Sequence, residues 1–122
     1  MKTISIAAFL ICIGILLGAF GAHALEERVT PERLDVWETA TFYLLLNAVG
    51  LLALGIWDHT HNVLPKKLPI LLISGILLFS GSLFLLVALD IPPLGAITPL
   101  GGLALAGAWG WVGVTLWTNK ES

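Results

Sequence analysis

Four stretches of the chain, residues 4–24, 40–57, 69–89 and 99–117, carry no Asp, Glu, Lys or Arg, and that spacing of uncharged runs limits the fold more than anything else in the sequence. A helix rises 1.5 Å per residue, so about 20 apolar residues cross the roughly 30 Å hydrocarbon core of a bilayer. Each run has about that length. The bilayer core offers no water to unpaired backbone N–H and C=O groups, so helices are the economical structure there. A transmembrane barrel would need strands of alternating polarity. No such alternation occurs in these runs. The expectation is an all-α integral membrane four-helix bundle formed by residues 1–122 as a single domain.

Composition agrees. Of the 122 residues 57% are hydrophobic and 11% charged, against about a quarter charged in soluble domains. The charges gather between the runs, with Glu26, Glu27, Arg28, Glu32, Arg33, Asp35 and Glu38 crowded into one interval. A net charge of −2 without a basic stripe supplies no footprint for nucleic acid, whose binding depends on neutralising phosphates. The single Cys12 rules out an intramolecular disulfide.

The helix boundaries carry their own signals. Thr30-Pro31 and Thr98-Pro99 read as an N-cap followed by a first-turn proline, and Pro69 suits the start of the third span just after Lys66 and Lys67. The break Asp90-Ile91-Pro92-Pro93 ends that span. With four crossings, Lys2, Lys66, Lys67 and Lys120 fall on one side and Arg28 and Arg33 on the other. The positive-inside rule then puts both termini in the cytoplasm, as for a multi-pass protein of the bacterial inner membrane. Trp37 at one boundary and Trp57 and Trp117 at the other suit interfacial indoles, while Trp109 and Trp111 sit deeper. The first run competes with a different reading. Lys2, the apolar stretch from Ile4 to Leu17 and Ala22-His23-Ala24 imitate a cleavable signal peptide.

Within the second span Thr39, Tyr43, Asn47 and Gly50 share one helix face. Asn47 is its deepest strongly polar group. An unpaired amide in hydrocarbon costs several kcal/mol, so Asn47 should point inward, joining Tyr43 and either Ser80 or Ser82 in a polar centre that acts as interhelical glue or as a pocket. A second candidate lies at the outer end, where His23 and Glu38 could exchange protons or simply hydrogen-bond nearby backbone. Asp58, His59 and His61 are competent metal ligands, but they read as a wet loop without further ligands. Gly14, Gly18 and Gly21 on the first helix, and Gly102 and Gly110 on the fourth, form small-residue stripes suited to close helix packing, within the chain or between copies. No nucleophile–base arrangement, phosphate-cradling loop or HExxH motif is present, so neither an enzyme, a metal site nor a cofactor is expected.

Several blocks also resemble a known family. Gly18-Ala19-Phe20-Gly21-Ala22-His23-Ala24-Leu25, then Glu38-Thr39-Ala40 with Tyr43, Phe79-Ser80-Gly81-Ser82-Leu83, and Ile97-Thr98-Pro99-Leu100-Gly101-Gly102 are similar to the YgdD/YwdK-type small membrane proteins, domain of unknown function 423. The resemblance implies four spans with the first helix retained rather than cleaved. It brings no reaction with it. Where similar proteins carry histidine this chain has Asn47, which cannot titrate near neutral pH, so a proton relay at that position is not expected here.

The expected function is therefore a structural, accessory or interaction role, with membrane lipid and other membrane helices as partners and homo-oligomers possible in principle. The alternative is an oligomeric small-solute or ion transporter or channel using the polar face of the second helix.

Overall fold

In the computed structural model, which describes residues 2–119, four helices are long and apolar enough to cross a membrane. Lys120, one of the lysines behind the expected topology, lies outside the described residues. Helix α1 spans Lys2–Leu25 and contains a π-helical turn at Leu17–Gly21. Helix α2 spans Pro31–His61, α3 Lys67–Leu89 and α4 Thr98–Thr118, with a 3₁₀ turn at Pro92–Ala96 leading into the last. Among the described residues there is no strand.

Local chemistry sets the ends of α2. Thr30 has extended backbone and its Oγ1 accepts the Arg33 N–H at 3.2 Å; Pro31 opens the first turn, and Glu32 faces the positive end of the helix dipole. At the other end Asn62 takes the left-handed conformation (φ 53°), and Asp58 Oδ1 accepts the N–H groups of Val63 and Leu64 at 2.8 and 2.9 Å. The Asp58–His61 segment, expected as a wet loop, is thus the last turn of α2. Two further contacts keep it helical: the His61 ring stacks on Trp57 with centroids 4.2 Å apart, and its Nδ1 lies 2.8 Å from the Trp57 carbonyl oxygen.

Thr98 departs from its expected capping role. It is the first residue of α4, and Ile97 before it is already helical (φ −82°, ψ −30°) because the 3₁₀ turn feeds straight into the helix. The Thr98 hydroxyl instead lies 2.7 Å from Ser82 Oγ of α3.

The helices pack in chain order, α1 on α2, α2 on α3, and α3 on α4. Glycine permits the closest approaches. A Cβ on Gly14 would lie 2.6 Å from a Leu45 methyl, one on Gly18 2.7 Å from Thr41 Cγ2, and one on Gly21 2.7 Å from the Trp37 ring. The first-helix stripe therefore faces α2 of the same chain. The fourth-helix stripe is different from the one expected. A Cβ on Gly102 would make only ordinary contact with the Phe79 ring at 3.6 Å, and one on Gly110 would have nothing within 4 Å. The close glycines at that interface are Gly101, set against the backbone of Phe79, and Gly75, set against Leu105. Leu51, Leu68, Leu72 and Ile76 fill the centre, and a smaller cluster of Trp37, Leu86 and Val87 fills the end near Arg33.

Candidate functional site

Asn47 sits halfway along α2 and is only 6% exposed. Its Nδ2 donates to the Tyr43 carbonyl one turn earlier at 2.7 Å, and its Oδ1 accepts the indole N–H of Trp109 from α4, also at 2.7 Å. The Trp109 ring lies across Gly50, where a Cβ would come within 2.7 Å of it. Without a glycine one turn from Asn47 the indole could not reach the amide. The expected inward-facing Asn47 is therefore present, but its interhelical partner comes from α4 and not from the serines of α3.

Those serines do other work. Ser80 Oγ donates to the Ala40 carbonyl at 2.8 Å and ties α3 to α2, while Ser82 pairs with Thr98 and donates to the Phe79 carbonyl at 2.9 Å. They point to different neighbours because two residues on a helix are about 200° apart. Tyr43 contributes its carbonyl to Asn47 and its ring to Phe79, with centroids 4.8 Å apart. Among the described residues every fully buried side-chain N or O atom has a hydrogen-bond partner.

Beside this polar pair runs a groove of about 460 Å³ between α2 and α4, floored by α3 through Phe79 and flanked by Leu46, Gly50, Leu105 and Ala106. That volume lies within the roughly 300–1,000 Å³ of small-molecule sites. Its lining is mostly apolar, and the polar side-chain groups on its lining residues are the Asn47 amide, the Tyr43 hydroxyl and the Trp109 indole N–H. An amide has two donors and two acceptor lone pairs, so Asn47 keeps one of each beyond its bonds to Tyr43 and Trp109.

The outer-end candidate does not come together. The His23 side chain is 86% exposed, with Glu26 Oε2 3.6 Å from its Nδ1, whereas Glu38 lines a separate cleft with Asp35, Thr39 and Tyr43. No three of His, Cys, Asp or Glu among the described residues gather as a metal site requires.

Sequence reasoning missed the partners of two indoles. Trp37, expected at a membrane boundary and turned toward apolar surroundings, is 6% exposed; the unforeseen part is its partners, its Nε1 donating to the Leu17 carbonyl at 2.9 Å and its ring meeting Phe84 edge-on at 4.7 Å. The Leu17 carbonyl heads the π turn, where it also accepts the Ala22 N–H five residues on. Trp109 carried a readable signal. An indole at bilayer depth needs an acceptor, and Asn47 is the strongly polar side chain at matching depth.

The family described as "Protein of unknown function (DUF423)" matches residues 17–102, from the π turn through α2 and α3 to the first turn of α4. The chain belongs to the DUF423 family. A UPF0382 membrane protein of Staphylococcus saprophyticus is 44% identical over 79 residues, covering 65% of this chain and 66% of that protein, so the chain spans just under two thirds of that relative's length. The UPF0382 membrane protein YwdK of Bacillus subtilis is 38% identical over 99 residues, 80% of each chain. No solved structure matches. Bacterial relatives named as membrane proteins and four span-length helices make this DUF423 chain a small bacterial integral membrane protein. Asn47, Ser80 and Ser82 fall inside the DUF423 segment, and Trp109 lies beyond it.

Proposed function

We propose that this DUF423 protein is an accessory membrane protein that works by contact with other membrane helices, with both termini in the cytoplasm. The observation that carries this reading is the pairing of Asn47 with Trp109 of α4 and the Tyr43 carbonyl. The one strongly polar side chain in the middle of α2 holds the chain's own helices together, which is the work of glue rather than of a solute path. The outer side of α4 supports an interaction role, because a Cβ at Gly107, Gly110 or Gly113 would meet nothing within 4 Å, and small residues facing lipid let another helix backbone come close. Lys2, Lys66 and Lys67 at one end, against Arg28 and Arg33 at the other, support the orientation.

The test is disulfide crosslinking in native membranes, with Cys12 replaced by serine and cysteine introduced by Gly110→Cys. A discrete protein adduct at Gly110, absent when the cysteine is placed at lipid-facing Phe9 of α1, is the expected result. No adduct at Gly110, together with solute flux in proteoliposomes that Asn47→Leu abolishes, would overturn the accessory reading in favour of transport. Labelling of cysteines introduced beside Lys2 and Asn119 from opposite sides would overturn the orientation.

A further inference from the structure

At the end of the molecule away from the lysines, the segment joining α1 to α2 and the end of α3 enclose a cleft of about 520 Å³. It is lined by the apolar Leu25, Val29, Val87 and Ala88 and by the polar Arg28, Thr30, Arg33 and Asp90. Arg33 Nη1 is committed, 2.9 Å from Asp90 Oδ1 and 3.3 Å from the Leu86 carbonyl oxygen. That leaves its remaining N–H groups, and the whole Arg28 guanidinium, without a side-chain partner among the described residues. Among the cleft's lining side chains two guanidinium groups stand against one carboxylate. Glu26 and Glu27, with His23, line a neighbouring cleft that Arg28 shares.

A cleft lined by both apolar side chains and guanidinium forks, at the end of the spans, matches one kind of molecule. A phospholipid has a phosphate that accepts paired hydrogen bonds from guanidinium groups, joined to acyl chains that need apolar walls. Basic pockets between transmembrane helices hold lipid head groups in this manner. We propose that this cleft binds an anionic phospholipid, its phosphate on Arg28 and the free side of Arg33 and the upper part of its acyl chains against Leu25 and Val87. Asp90 opposes the ligand's charge while it orients Arg33. Free phosphate shares the head-group chemistry but has nothing to place on the apolar walls.

The experiment reconstitutes the full chain in phosphatidylcholine nanodiscs containing a minority of phosphatidylglycerol and counts each lipid retained on the protein by native mass spectrometry. Wild type should retain phosphatidylglycerol in excess of its share of the bilayer. Arg28→Gln, which breaks no bond within the chain, should lower that preference about fivefold. Asp90→Asn should raise it, and Lys67→Gln, which removes the same charge at the opposite end, should leave it unchanged. Retention of the two lipids in their bilayer proportions, or an equal loss in Lys67→Gln and Arg28→Gln, would overturn the proposal by reducing the preference to chance or to general charge attraction. Displacement of the lipid by added inorganic phosphate would overturn the assignment to lipid and give the cleft to a soluble phosphate.

Discussion

Replacing Gly101 by alanine tests the α3–α4 packing most sharply, because the added Cβ has only backbone to meet. It would lie 2.5 Å from Phe79 N, 2.8 Å from Phe79 Cα and 3.0 Å from the Leu78 carbonyl carbon, and none of these atoms can rotate aside. Carbon atoms rest at about 3.5–4.0 Å, so α4 must withdraw from α3 by about 1 Å. A gap of about that size forfeits roughly a quarter to a half of the dispersion energy of each contact it opens. Overpacking of this kind costs about 1–3 kcal/mol, and alanine returns at most about 1 kcal/mol through its better helix propensity. Gly101→Ala should therefore lower stability by up to about 2 kcal/mol net of that return. Gly110→Ala is the matched control, since its Cβ would meet nothing within 4 Å and only the propensity gain remains. Unfolding in mixed detergent micelles, followed by circular dichroism, should move the two midpoints in opposite directions from wild type. Equal midpoints, or a fall confined to Gly110→Ala, would refute the assignment of Gly101 to the contact face.

Asn47→Leu should cost about 1–3 kcal/mol by leaving the Trp109 N–H unpaired, while the double variant with Trp109→Phe should recover part of the loss; zero coupling in the unfolding midpoints would remove the bond from the account. Trp37→Phe keeps a ring against Gly21 but loses the donation to the Leu17 carbonyl, at about 1 kcal/mol, and should speed amide exchange in residues 17–25. Exchange there as slow as in wild type would show that the indole does not hold the π turn. Asp58→Ala removes the acceptor of the Val63 and Leu64 N–H groups and should fray the end of α2, read as faster exchange at residues 58–64 with α3 unaffected.

The spans were legible because uncharged runs of bilayer length leave the backbone few choices, and Thr30 shows that a cap can be read from two residues when its helix starts in water. Thr98 shows the limit of the same signal. Its proline is where the pattern wants it, but a preceding 3₁₀ turn supplies the helix start, and the hydroxyl is free to seek Ser82. Periodicity placed Tyr43, Asn47 and Gly50 on one face because that relation lies within one helix. It could not say that Asn47 would meet Trp109 rather than Ser80, since the choice depends on how far α4 is rotated about its own axis. The two glycine stripes differ for the same reason: spacing shows that a face is small and does not show what lies opposite, which is α2 for Gly18 and open space for Gly110.

Packing in chain order has a consequence for how the molecule is made. A ribosome delivers residues at about 5–20 per second, so the helices enter the bilayer one after another. Each helix after α1 finds one of its neighbours already in place, although the most extensive contact, between α3 and α4, forms only with the last span. Asn47 waits for that span too. Its amide enters with α2 and can bond at once to the Tyr43 carbonyl, but the Trp109 indole arrives only with the last span. For the time taken to extend the chain by the 62 residues from Asn47 to Trp109, the amide oxygen lacks this partner in the bilayer. During that interval a passing lipid, a water molecule or an insertion factor can use it, and the arrival of α4 is the step that closes it.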